Sequence, residues 1–71
     1  MDLKDVAVLK EGHALIEGAE GKVANGRLVV VADPVGELDV GDRVTITAAH
    51  GFEARGTYMG GSAGDLNFKI D

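Results

Sequence analysis

The sequence contains no cysteine and no tryptophan, a single proline, and only three aromatic residues, Phe52, Tyr58 and Phe68. Without cysteine, neither disulfides nor thiolate metal sites can hold the fold. Stability must come from apolar packing, sheet hydrogen bonds or a second chain. The same absence fits a reducing compartment. Long apolar runs are missing too. The longest is Leu28-Val29-Val30-Val31-Ala32, far below the ~20 residues that span a bilayer. The N-terminal MDLKDVAVLKEG mixes both charge signs and does not read as a signal peptide. These features predict a soluble, cytoplasmic protein with no membrane partner.

Positive charge is scarce. Seven bases face twelve acids, for a net charge of −5. Along the chain Lys4, Lys10, Lys22, Arg27, Arg43, Arg55 and Lys69 stand singly among acids. Phosphate neutralisation calls for clustered lysine and arginine, so nucleic acid is not the expected partner. A protein with a basic surface remains compatible, and net charge also serves solubility. With 71 residues, the chain supports one small domain, residues 1–71, with a modest core and no deep cleft between subdomains.

Glycine, by contrast, is abundant. Eleven glycines punctuate the chain at intervals, between short apolar segments. That rhythm predicts an all-β fold, a small SH3-like barrel or roll of roughly five to seven mostly antiparallel strands. The clearest element is the hairpin KVANGRLVVVA. Asn25-Gly26 suits a two-residue type I′ turn, which sets Ala24 opposite Arg27 and Val23 opposite Leu28. Val23, Leu28 and Val30 then share one face, and Val29 and Val31 the other. Asp33-Pro34 ends that strand, and Leu38 and Val40 are expected to tuck beneath the barrel. DRVTITAA points Val44, Ile46 and Ala48 inward. His50-Gly51 turns the chain. FEARGTYM shares Phe52, Ala54, Gly56 and Tyr58 on one face, with Gly56 marking a bend, a bulge or a close backbone approach. DLNFKID carries Leu66, Phe68 and Ile70 inward. The N-terminus reads as two strands, DVAVLK and HALIE, around Glu11-Gly12. The alternative is a short helix over residues 2–11 capped by Asp2.

Gly60-Gly61-Ser62-Ala63-Gly64 matches G-x-S-x-G, the pattern of a serine nucleophile elbow. An elbow sits between a strand and a helix in a large parallel sheet, whereas a strand pattern follows here. A working serine also needs a base held by a third group. Nothing in the spacing brings His13, His50 or Asp65 to Ser62. No catalytic residue is therefore assigned, and no enzyme is expected. The segment reads as a five-residue turn. Its backbone N–H groups offer the alternative of an anion nest, with Gly61, Ser62 and Gly64 as ligand-binding residues. No base sits in it, and Asp65 adds repulsion. His13 and His50 lack companions at metal-ligand spacing, and the acids Asp33, Glu37, Asp39 and Asp42 do not follow the rhythm of a calcium loop. No metal or other cofactor is expected.

Two local resemblances accompany this reading. MGGSAGDLNF is similar, over roughly fifteen residues, to the motif of PilZ domains, small barrels that bind cyclic di-GMP. The spacing of Ser62 and Gly64 differs from that pattern. Gly60 stands where the family has an acid or amide, and the paired arginines are missing, so no binding residue is carried over. GELDVGDRVTI resembles the turn-and-strand phrase of SH3-like and translation-factor barrels, which implies a fold but no activity.

Outward apolar residues complete the picture. Val29, Val31 and Met59 fall on otherwise polar faces, as an interaction surface would. The expected function is a non-enzymatic protein–protein interaction module or small assembly component. It would use these three residues with Asp33, Glu37 and Asp39 as an acidic rim, by self-association or with a basic partner, or would offer an open sheet edge. The alternative is a small-ligand or nucleotide-binding barrel using Gly60–Gly64.

Overall fold

The computed structural model describes residues 1–71. Six strands run in order: β1 (Asp2–Lys10), β2 (His13–Ala24), β3 (Arg27–Val31), β4 (Arg43–Ala48), β5 (Phe52–Ser62) and β6 (Asp65–Ile70). All neighbours are antiparallel, and the sheet closes on itself as β1-β2-β3-β6-β5-β4. The all-β reading holds, as does the strand reading of the N-terminus. The helix alternative over residues 2–11 fails because Leu3, Val6 and Val8 are needed inside the barrel. Irregular pairing along β1, with Asp5 at φ 53°, brings all three inward.

Local chemistry sets the register. Asn25 and Gly26 have φ of 53° and 75°, both left-handed as a type I′ turn requires. Ala24 then pairs with Arg27 and Val23 with Leu28, as the sequence predicts. Glu11-Gly12 turns the same way between Lys10 and His13. The inward residues make one core: Leu3, Val6, Val8, Ile16, Leu28, Val30, Leu38, Val44, Ile46, Tyr58, Leu66 and Phe68. Its centre includes the Tyr58 and Phe68 rings, 5.3 Å apart and tilted by 49°. Gly56 marks a close approach, since a Cβ there would come within 2.5 Å of the Lys69 carbonyl oxygen. The β5 bulge lies further on, between Tyr58 and Gly60.

The connection from β3 to β4 closes the lower end of the barrel. Leu38 is buried there and Val35 half-buried. Gly41 N–H donates to Tyr58 O (2.8 Å), and Tyr58 N–H donates to Asp42 O (2.9 Å), which sews the loop to β5. Val40 departs from expectation. It is 69% exposed and lies against Gly60 instead of beneath the barrel. The bonds of Gly41 and Asp42 to Tyr58 hold this part of the loop alongside the outside of β5.

Candidate functional site

The serine motif folds as strand and turn. β5 runs through Ser62, β6 begins at Asp65, and the two residues pair. The expected five-residue loop is thus a two-residue turn, Ala63-Gly64, because the ladder continues through Gly60 and Gly61. At Gly61 the backbones run so close that an added Cβ would collide with the Asp65 carbonyl oxygen. This glycine serves strand packing. Gly64 N–H, a donor that an anion would use, instead donates to Asp33 Oδ1 at 3.2 Å. Ser62 is exposed, at the opposite end of β5 from His50. His13 opens β2, on the other side of the β1–β2 turn from Lys10. No triad is assembled, and no three His, Cys, Asp or Glu side chains converge as metal ligands.

His50, with φ 65°, lines a groove of about 580 Å³ between residues 2–5 of β1 and Phe52. This groove exists because β4 meets β1 only at Ala7–Leu9. The sheet is closed all the same, and each strand has two neighbours. An open sheet edge is therefore not what this barrel offers a partner.

The apolar outward residues divide into two spots. Val29 and Val31 lie on β3 and line a groove of about 520 Å³ with Asp2, Lys4, Glu20, Lys22 and Asp65. Val31 is 59% exposed, and Val29 is half-buried. Met59 sits two strands away, beyond β6, beside the Gly60 that Val40 covers. Asn67 separates the spots: it pairs with Val29 on one side and Gly60 on the other, and its Nδ2 donates to Gly60 O (3.3 Å). The sequence places Val29, Val31 and Met59 on outward faces correctly. It misses Val40, which is exposed beside Gly60.

The acids of the 33–42 segment also separate. Asp33 stands at the foot of β6, near the valine groove. Glu37 and Asp39 lie at the lower end near Lys10. Lys10 Nζ donates to Glu37 O and to Asp42 Oδ2, each at 2.8 Å, and Asp39 N–H donates to the same Asp42 oxygen at 2.8 Å. About a quarter of the Lys10 and Asp42 side chains is exposed. The hydrogen bond from Lys10, helped by the Asp39 N–H, holds the Asp42 carboxyl below its usual range. The same hydrogen bond raises Lys10. This cluster latches the loop to β1. Asp2, Glu20 and Asp65, not Glu37 and Asp39, line the groove with the valines, beside Lys4 and Lys22.

The fold gathers bases that the chain scatters. Ala24, Arg27, Lys69, Thr57 and Arg43 form one cross-strand row, and Arg43 is paired with Asp71. Period-two reading identifies each as outward. Only the β3–β6 and β5–β6 registers align them. Directly below lies the row Asp2, Lys22, Val29, Asn67, and below that Glu20 and Val31. Charge on this wall thus passes from positive in the first row to mixed signs below it, where Lys4 lines the same groove as Glu20 and Asp65. No family model matches the chain, and no curated protein or solved structure is detectably similar to it.

Proposed function

We propose that this chain is a non-enzymatic protein-interaction module that docks a partner on the outer wall of β1, β2 and β3, over Val29 and Val31. The observation that carries the reading is the groove itself. Two adjacent valines, one of them 59% exposed, floor a concave space on the outside of a barrel whose core is complete without them. Apolar side chains so placed add little to folding and favour contact with another surface. Asp2, Glu20 and Asp65 line the groove with Lys4 and Lys22, which favours a partner that sets bases against these three acids. Small size and full closure suit a recognition domain of the SH3-like class, a parallel drawn at the level of fold only. Lys10 and Asp42, whose ionisation is shifted by their mutual hydrogen bond, form a structural latch outside this groove, which favours binding over catalysis there.

A strand-forming peptide of alternating lysine and valine is a suitable probe. Added to the isotope-labelled chain, it should shift the backbone resonances of residues 20–22 and 29–31. Val31→Lys removes the apolar floor and opposes the peptide's charge, and should weaken binding by about tenfold or more. Unmoved spectra at millimolar peptide would remove the reading.

A further inference from the structure

The outward residues of β3 are Arg27, Val29 and Val31, and past a bend at Ala32 comes exposed Asp33, whose Oδ1 accepts the Gly64 N–H: a base, two valines and an acid. Turned end for end, this series meets itself with opposite charges facing. The neighbouring columns share the property. Asp2, Lys22, Val29 and Asn67 lie in one row. In the next row Glu20 lies opposite Val31, and Lys4 and Asp65 flank the pair along the same groove. Apart from half-buried Val29, these residues are exposed. A two-fold axis crossing the strands between the two rows exchanges them. It sets Val29 on the partner's Val31, Lys22 on the partner's Glu20 and Asp2 on the partner's Lys4. It also sets Asn67, an amide donor, on the partner's Asp65, and Arg27 on the partner's Asp33. No like charges meet along these columns.

We propose that this wall is an isologous interface, and that the chain pairs through it with a second copy of itself about that two-fold axis. The proposal rests on the interaction-module reading above and names its partner. A two-fold interface must be complementary to itself, and on a chain of net charge −5 most patches would face acid with acid. Here Lys4, Lys22 and Arg27 supply the bases that Asp2, Glu20 and Asp33 require. The groove leaves room for the long Lys22 and Glu20 side chains to pair across the axis. From strand spacing and rise, the face measures about 14 by 20 Å, on the order of 300 Å² per copy. That area is small for a stable complex and fits a weak, concentration-dependent dimer.

Sedimentation equilibrium from micromolar to millimolar chain at low salt, with circular dichroism to confirm folding, provides the test. The parent should self-associate within that range. Glu20→Lys and Lys22→Glu should each raise the dissociation constant by about tenfold or more, since each reversal sets like charges together at two symmetry-related places. The double variant restores opposite charges across the axis and should recover to within about threefold of the parent. Both positions are exposed, so the exchange leaves the core untouched. A parent that stays monomeric at millimolar concentration overturns the proposal, as does a double variant no better than either single one. If the parent is monomeric while the lysine–valine peptide still shifts Val29 and Val31, only the self-partner is lost and the module reading stands.

Discussion

Val30 and Val31 are the same residue, adjacent on one strand, yet Val30 is wholly buried and Val31 is 59% exposed. Val30 pairs with Gly21 and Leu66, both buried, and packs into the core. Val31 pairs with Glu20 and looks outward over Asp65. β-propensity favours valine equally at both positions, so propensity cannot explain Val31. Folding accounts for the inner face of β3. The outer face carries apolar surface that the barrel does not use, and that contrast is the basis for placing recognition there.

The largest expected effect follows from attacking the inner side. Val30→Ala removes two buried carbons from a site with no exposure. It should cost about 2–3 kcal/mol, combining lost transfer energy with the cavity left behind. Urea unfolding should show a lower midpoint with an unchanged slope. For so short a chain this is a large share of the total stability. A loss well under 1 kcal/mol would mean that the two valines differ less than their burial indicates.

How far such a contrast is legible beforehand depends on the range of the interaction that sets it. Alternation within a strand is local, so Leu28 and Val30 against Val29 and Val31, Val44 and Ile46, and Leu66 and Phe68 all sort correctly from period two alone. The Asn25-Gly26 turn is local as well, and it transmits the β2–β3 register residue by residue. The row containing Arg27, Lys69 and Arg43 depends on how β3 meets β6 and how β5 meets both β4 and β6. Three of those strands lie beyond a long connection, and no short-range pattern encodes their alignment. Val40 escapes for a similar reason. Its exposure follows from backbone bonds between the loop and Tyr58, not from its own apolarity. Gly60-Gly61-Ser62 reads as loop because glycine is poor in strands. Here the close approach of β6 at Gly61 needs a residue without a side chain.

An outward charge with a folding role sharpens the contrast from the other side. Asp42 joins β1 to the β3–β4 connection through Lys10 while also accepting the Asp39 N–H. Its carboxyl is held below the usual range, so its stabilising contribution is fully present above the unfolded carboxylate value near pH 4 and fades as pH falls through the lower folded value. Lys10 behaves conversely: its contribution is present below its ordinary value and is lost as pH rises through the raised one. Asp42→Asn should therefore lower the melting temperature modestly at pH 7. It should also flatten the parent's loss of stability on the acid side. A variant whose acid limb matches the parent's would mean that the latch does not hold the loop.

The smallest stability change is the sharpest test, because a null result there separates the two faces. Val31→Thr keeps the β-branch that suits a strand and directs a hydroxyl into solvent, where it needs no protein partner. Unfolding free energy should move by no more than about 0.5 kcal/mol, the range of surface substitutions remote from special features. Binding should respond differently. Threonine takes a polar group into the docked surface, and that group must be desolvated or paired. The dissociation constant for the lysine–valine peptide should rise several-fold while urea midpoints for parent and variant coincide. If Val31→Thr instead destabilises the free chain as much as Val30→Ala does, the outer valines belong to the fold after all, and the groove loses its claim as a docking surface.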